Sequence, residues 1–555
     1  MTDPTTVAAV ATISGNVVDP LARRVVPATL TLRDGRIAAI RADATPHATW
    51  LVPGFVDAHV HVESSLLPPC EFARLAVARG TVATVSDPHE IANVLGIPGV
   101  EFMLADAART PFTFCFGAPS CVPATPYDAA GAVIDSAGVA ALLDRPDVGY
   151  LAEVMNYPGV VAGDAELLAK IAAARGRGKP IDGHAPGLRG RPLAAYVAAG
   201  ITTDHECVAH DEALEKLALG MRILIREGSA ARNFDALAGL VDTHPGQVML
   251  CSDDRHPDGL LVEHVDAIVR RALARGSDLF DVLQAATVNA VRHYRLDVGL
   301  LQVGDRADFL EVDDLAAMRI RRVFVAGAVA ADESGCRWPH LASATPNACA
   351  ARPRQADDFA VPAGPAGRRL RVIEARDGQL VTGSLVVPPR VAAGRVVADP
   401  AADLLKLALV NRYADRPPAV AFIRGFGLAR GGLASSVAHD SHNILAVAAD
   451  DASLARAVNL VVASRGGLAA VDGGREAVLP LPIAGLMSDL PGGEVAARYA
   501  ALERFARDLG SPLAAPFMTL SFMALLVIPT VKLSPQGLFD VAQFTPVDLF
   551  TGRPS

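Results

Sequence analysis

The sequence predicts an α/β protein: a TIM-like (β/α)8 barrel, a small β-domain formed by the segments that flank it, and a separate C-terminal α/β domain. Three observations carry this expectation. Between residues 51 and 295, short apolar runs alternate with Ala/Leu-rich amphipathic segments such as EFARLAVARG and DAELLAKIAAARGRG, the βαβ pattern of a parallel sheet. Eight such runs can be counted, the number that closes a barrel. Nearly every run ends in polar, titratable residues, and in a barrel those ends share one face. An open doubly wound sheet would call for a Gly-rich phosphate loop after the first strand, and neither GxGxxG nor GxxxxGK(S/T) occurs there.

In chain order, TISGNVVDPLARRVVPATLTLRDGRIAAI alternates β-branched runs with turns such as Asp34-Gly35, which reads as a β-element ahead of the barrel. The opening MTDPTTVAAV has an Asp and no Lys or Arg, so it lacks the charged start of a signal peptide. The eight barrel runs are LVPGFVDAHVH, TVATVSDPHE, FTFCFGAPS, VGYLAEVMN, PIDGHAPG, ITTDHE, RILIREGS and VMLCSDDRH. After them, GLLQVGDRADFLEVDD and IRRVFVAGAVA are alternating strands expected to pair with the opening element. The expected units are therefore 1–50 with 296–336, the barrel at 51–295, a Pro/Ala/Arg-rich linker at 337–368, and a C-terminal domain at 369–555. The stretch SPLAAPFMTLSFMALLVIPTVK imitates a membrane span, but prolines at 512, 516 and 529 break it. Buried strands and turns are the expectation there.

Composition excludes several classes. With 51% hydrophobic and 20% charged residues, the 555-residue chain has the content of a globular protein with more than one core. Its net charge of −9 is modest, and no Lys/Arg stripe offers a footprint for nucleic acid or an anionic membrane. Seven scattered cysteines without a CxxC pair indicate reduced thiols, a cytoplasmic location and no zinc knuckle. A homodimer, resting on the apolar C-terminal region, is the expected assembly.

The chemistry begins at FVDAHVHVESS. A strand's period of two would send Asp57, His59, His61 and Glu63 to one face, a poor core unless something is bound there. Placed on the predicted strands, His59 and His61 end strand one, Glu153 lies on strand four, His184 on five, His205 on six and Asp253 on eight. Either of His184 and His205 alone would read as an ordinary hydrogen-bonded histidine. Together, four imidazoles and two carboxylates exceed the need of one ion and suit two divalent ions sharing a bridging carboxylate. Zn, Mn, Fe and Co are all reasonable with N and O ligands.

PGFVDAHVH, the strand-four carboxylate, single histidines on strands five and six, and SD on strand eight together resemble the metal-dependent amidohydrolase superfamily. ATVNAVRHY followed by GLLQVGDRADFLEVD resembles that superfamily's return from barrel to sheet. A narrower resemblance is to the bacterial type of adenine deaminase family. It is carried by HVESSLLPPCEFARLAVARGTVATVSDPHEIANVLG, LAEVMNYPGVV, IDGHAPGL and CSDDRHPDGLL, and by GLASSVAHDSHNI and FMTLSFMALLVIPTVKLSPQGLFD near the C-terminus. The resemblance spans nearly the whole chain. It implies hydrolysis of adenine to hypoxanthine and ammonia, in purine salvage, by a hydroxide bridging a binuclear centre of Mn2+ or Fe2+, with Zn2+ the alternative. Asp253, first of the SD-D pair in the family pattern, would be ligand and proton shuttle, and Glu153 the bridge.

Rival hydrolases fit less well. Hydantoinase-like and dihydroorotase-like members bridge through a carbamylated lysine, which strand four lacks. N-acetylglucosamine-6-phosphate deacetylase shares the bridging glutamate but would need a phosphate cradle and leaves the C-terminal domain unexplained. A non-catalytic scaffold relative would have lost ligands, and all six positions are filled. The cytidine-deaminase type is excluded because Ala73 stands where its second cysteine belongs.

The remaining polar residues each have two readings. His89 and Glu90 end strand two, as a capped turn after Asp87-Pro88 or as groups touching the transition state and the purine. Asp254, which alternation turns away from Asp253, is either an ion-pair partner of Arg255 or a purine contact. Arg226 and Glu227 are an ordinary ion pair or part of the mouth. Cys207 and Cys251 are small buried hydrophobes by default. His439, Asp440, His442 and Asn443 form either a self-satisfied turn or a loop that folds over the barrel mouth to close the pocket or binds a further ion, with His442 the candidate substrate contact.

Overall fold

The computed structural model describes residues 11–364 and 367–552; the opening decapeptide read above for a targeting signal lies outside them. The chain first lays down β1 (Ala11–Asp19), β2 (Arg24–Arg33), β3 (Arg36–Ala42) and β4 (Trp50–Pro53). It then enters the barrel with β5 (Phe55–Val60), β6 (Thr81–Ser86), β7 (Thr113–Ala118) and β8 (Val148–Val154). Four more strands come next: β9 (Ile181–Gly183), β10 (Thr203–Asp204), β11 (Arg222–Arg226) and β12 (Val248–Cys251). All eight barrel runs are thus strands, and every ladder among them is parallel.

The ring closes at two seams. Between β9 and β10, the Thr202 amide reaches Ile181 O at 2.9 Å and the Gly183 amide reaches Thr203 Oγ1 at 3.2 Å. Between β12 and β5, Asp253 N donates to His59 O at 2.9 Å and His61 N to Asp253 O at 3.2 Å. The second seam therefore runs through three predicted ligands, and the backbone that closes the barrel also fixes their spacing.

The predicted first barrel strand is in fact two. Trp50–Pro53 pairs with β1 in the flanking sheet, and only Phe55–Val60 belongs to the barrel. Gly54 makes the junction, where a Cβ would meet the Val82 methyls at 2.5 Å. Strands five and six are shorter than their apolar runs suggest, so His184 and His205 lie just past the strand ends.

Beyond the barrel, β13 (Phe309–Asp314), β14 (Arg319–Val325), β15 (Ala328–Asp332) and β16 (Gly335–Cys336) complete an eight-stranded sheet with β1–β4. Its order, β16-β15-β14-β13-β4-β1-β2-β3, joins the opening and post-barrel segments through the β13–β4 ladder. Residues 339–355 run without regular secondary structure and tie the barrel to the C-terminal region: Ser343 bonds Asp106, and Asn347 bonds Arg465 O and Pro482 O.

The C-terminal region is built on a nine-stranded sheet whose centre is Leu405–Val410, Ile444–Ala448 and Gly432–Ser435. The helix Asp451–Ala463 covers one face through Leu454, Val458 and Val461, a stripe at helical spacing. The apolar stretch 511–532 departs from expectation. Pro516–Ser521 is a short helix, with proline in its first turn where a missing amide is tolerated, and Phe522–Ala524 is a 3-10 turn. Only Val531–Ser534 is a strand. Among the described residues no helix is long and apolar enough to cross a membrane.

Candidate metal centre

The six predicted ligands converge. Glu153, near the end of β8, stands between two groups of imidazoles. Its Oε1 is 3.4 Å from His61 Nε2, and its Oε2 is 2.8 Å from His184 Nδ1 and 3.2 Å from His205 Nε2. Asp253 Oδ1 lies 3.3 Å from His61 Nε2 and 3.5 Å from His59 Nε2. The His59 and His205 rings stack with centroids 4.1 Å apart. Each ligand sits at or just beyond a strand end, so the barrel's register sets their mutual distances.

Two neighbours of the histidines do not join them. Strand geometry ends at Val60, and Val62–Ser65 forms a 3-10 turn, so the period of two no longer holds at Glu63. Glu63 instead accepts from the Ile91 amide at 3.2 Å. Asp57 accepts from the Ser252 amide at 3.0 Å and pairs with His264 Nε2 at 2.8 Å, bracing β5 against β12.

Alternation would send Asp253 and Asp254 to opposite sides, but both border the cavity. The strand stops at Cys251, and Asp253 takes a left-handed φ of 56°, which re-aims the residue after it. Asp254 accepts from Ser64 Oγ at 2.5 Å, and Arg255 pairs with Glu263 instead. His89 and Glu90 open the helix His89–Leu95. His89 Nδ1 is 3.1 Å from Asp87 Oδ2 and 3.6 Å from Glu153 Oε1, and its Nε2 is 3.8 Å from Asp440 Oδ1. The 439–443 segment folds onto the barrel mouth: His439 Nδ1 lies 2.6 Å from Glu90 Oε1, and His442 Nε2 is in contact with Glu90 Oε2. His439 and Asp440 border the cavity, whereas His442 stands behind Glu90.

Two residues carry more of the site than the sequence suggests. Arg226 donates to both oxygens of Glu206, at 2.5 and 2.9 Å, and also to Asp253 Oδ2. Alternation from His205 turns Glu206 away from the cavity, yet β10 ends at Asp204 and alternation no longer applies. The Glu206 Oε1 lies 3.5 Å from His184 Nδ1 and from His205 Nε2. The adjacent HE at a strand end is the available signal. Glu227, by contrast, pairs with Arg271 away from the cavity. Cys207 and Cys251 are buried thiols, both pushed up by burial.

The electrostatics reflect the crowding. Burial would raise Glu153, but His184, His205 and His61 hold it well below the usual carboxylate range. Burial would likewise raise Asp253, and Arg226 with His59 and His61 holds it down. Burial would lower His184, but Glu206 and Glu153 raise it to about 9. Asp254 is pushed up by burial and by Asp253. Glu90 is held well below its ordinary value by His439 and His442 against the pull of burial.

The donor set fits a pair of divalent cations. Both ring nitrogens of His59, whose side chain is 1% exposed, lack a hydrogen-bond partner, as does Nε2 of His184. His59/His61/Asp253 and His59/Glu153/His205 each present one ligand atom per residue within 4.8 Å of the others. Buried imidazoles without partners are costly unless a cation completes them. Glu153, which faces His61 through Oε1 and His184 and His205 through Oε2, would bridge such a pair. The cavity here encloses about 30 Å³ and shares Glu206, Arg226 and Leu380 with a neighbouring hollow of about 530 Å³.

A closed α/β barrel with this ligand ring at its strand ends defines a metal-dependent hydrolase, and the Amidohydrolase family profile matches residues 50–330. The Adenine deaminase C-terminal domain profile matches residues 379–545. The chain is 59% identical to an adenine deaminase of Salinibacter ruber (strain DSM 13855 / M31), over 97% of this chain and 98% of that one. It is 52% identical to one of Sulfurovum sp. (strain NBC37-1), over 97% and 99%. With one of Methanosarcina acetivorans the identity is 49%, over 97% and 99%. The chain belongs to the adenine deaminase family.

Proposed function

We propose that this chain hydrolyses adenine to hypoxanthine and ammonia, as an enzyme of purine salvage in the cytoplasm. The observation that carries the reading is the convergence of His59, His61, Glu153, His184, His205 and Asp253 beneath a C-terminal domain that family relatives share over their whole length. These six residues would hold two divalent cations, Mn2+ or Fe2+ in preference to Zn2+. When bound, the cations supply Lewis acidity that lets a water ionise near pH 7.

The chain's own groups do the rest. Asp253 Oδ1, the oxygen that Arg226 leaves free, takes the proton from the attacking water and passes it to the ring or the departing amine. His89, bordered by Glu153 and Asp440, faces the same cavity and stabilises charge developing on the purine. Glu90 and Asp254 are the proposed purine contacts. His442 touches Glu90 and acts on the substrate through it. The cavity adjoins the larger hollow of about 530 Å³ through Glu206, Arg226 and Leu380, and adenine would reach the ligand ring from that side. The proposed assembly is a homodimer.

The test is direct. The full-length protein, stripped and reloaded with Mn2+ or Fe2+, is expected to release ammonia from adenine in proportion to bound metal, up to two equivalents per chain. A loaded protein that leaves adenine intact while hydrolysing N-acetylglucosamine 6-phosphate overturns the proposal.

A further inference from the structure

Glu90 belongs to the barrel, yet both of its oxygens are met by side chains from the C-terminal domain. His439 Nδ1 lies 2.6 Å from Oε1 and His442 Nε2 touches Oε2, from positions some 350 residues further along the chain. All three residues are buried. A Glu-His-His cluster invites a cation, and the tautomer of His442 argues against one. The Ala438 amide donates to His442 Nδ1 at 3.2 Å, so the neutral ring carries its proton on Nε2 and has no lone pair there for a metal. Nε2 is left as a donor toward the carboxylate. His439 is held in plane by stacking on Phe522, with centroids 4.5 Å and planes 11° apart, which aims its Nδ1 at the other oxygen.

We propose that His439 and His442 are positioning residues that lock the Glu90 carboxylate to accept the ring N–H of a free purine base. This rests on the reading that the site takes adenine. A carboxylate oxygen has more than one lone pair, so Glu90 keeps acceptor capacity toward the cavity it borders with Asp254 and Asp440. The free base carries one N–H on its five-membered ring, and 9-substitution replaces it with carbon. A buried acceptor denied its donor costs far more than a lost contact, so an aligned Glu90 discriminates against 9-substituted purines. The C-terminal domain then supplies specificity to a barrel that supplies the chemistry.

The experiment compares donor-keeping with donor-deleting variants in the Mn2+-loaded full-length protein. Inhibition constants are measured for hypoxanthine and 9-methylhypoxanthine, alongside kcat/KM for adenine and metal content. His442→Leu and His439→Leu are expected to shrink the preference for the unsubstituted base about tenfold or more. His442→Gln and His439→Asn place an amide donor at the reach of Nε2 and Nδ1 and are expected to recover most of it, whether or not the leucine variants fold. Metal content is expected to stay at the wild-type value throughout. A preference unchanged in the leucine variants overturns the inference, as does a glutamine or asparagine variant that loses the preference. A third metal equivalent that vanishes with His442→Leu also overturns it, in favour of a cation site. Wild-type protein that binds purines with this preference but releases no ammonia would sink the deamination reading alone.

Discussion

The barrel mouth and the C-terminal sheet both bury charge, and they do it in opposite ways. In the C-terminal sheet, Lys406 is fully buried on Leu405–Val410, and its Nζ reaches Phe359 O at 2.9 Å and Asp451 Oδ1 at 2.7 Å. Arg412, equally buried, donates to Ala348 O, Asn347 Oδ1 and His442 O. These cations are complete within the protein. At the barrel mouth, His59 is as deeply buried and has no hydrogen bond at either nitrogen. Burial of a polar group is therefore not by itself the mark of a site; an imidazole with neither nitrogen partnered, set among other histidines and carboxylates, is the stronger sign.

The largest effect expected from this difference is at His59. Removing a direct ligand exceeds the 10–100-fold loss typical of residues that merely orient one, so His59→Ala is expected to lower kcat/KM for adenine by about 10³ or more and to reduce bound metal. Because the ring makes no hydrogen bond, the metal-free variant should melt within a few degrees of wild type. Turnover at the wild-type level would erase the distinction between the two regions.

The reverse pattern is expected at Lys406. Lys406→Met strands Asp451, whose side chain is 25% exposed, and leaves the Phe359 carbonyl without its donor. Breaking a buried pair from one side costs about 3 kcal/mol, the lower part of the usual range because water can reach the carboxylate. Denaturant titration should show that loss, while kcat/KM per folded, metal-loaded molecule stays at the wild-type value. A variant as stable as wild type, or one that is stable but inactive, contradicts the division.

The legibility of the sequence divides along the same line. The eight barrel runs and the convergence of the six candidate ligands can be read because strand ends collect polar residues of a few types in a fixed order. The failures around the ligand ring lie where a strand stops sooner than its apolar run. Alternation excludes Glu206, separates Asp253 from Asp254 and groups Glu63 with His59, and in each case the chain has already left the pleat. A 3-10 turn or a left-handed residue is local backbone geometry that hydrophobic period does not encode. For His439 and His442 the sequence offers a loop over the barrel mouth but not its partner: Glu90 is some 350 positions away, and no local pattern links the two. The helix at Pro516–Ser521 reads as strand because a short apolar run has no period long enough to decide between the two.

Lys532 tests the comparison from a third position, since it is buried like Lys406 but without a carboxylate. Its Nζ is 2.7 Å from Leu380 O and 3.0 Å from Phe522 O, two residues of the cavity wall, and no acidic group lies within ion-pair distance among the described residues. Burial pushes it down from its ordinary value near 10.5 to about 7. The unfolded chain therefore holds a proton between about pH 7 and 10 that the folded chain has released, and folding stability gains from this group as pH rises through that window. Below pH 7 both states are charged, the slope vanishes, and the folded state carries the full burden of an unpaired ammonium. Between pH 6.5 and 9.5, urea unfolding of metal-free wild type is expected to gain up to about 3 kcal/mol relative to Lys532→Met, which has no proton to release. A difference independent of pH would mean that Lys532 keeps its charge across the range, and that two carbonyls suffice for a buried cation here as Asp451 does for Lys406.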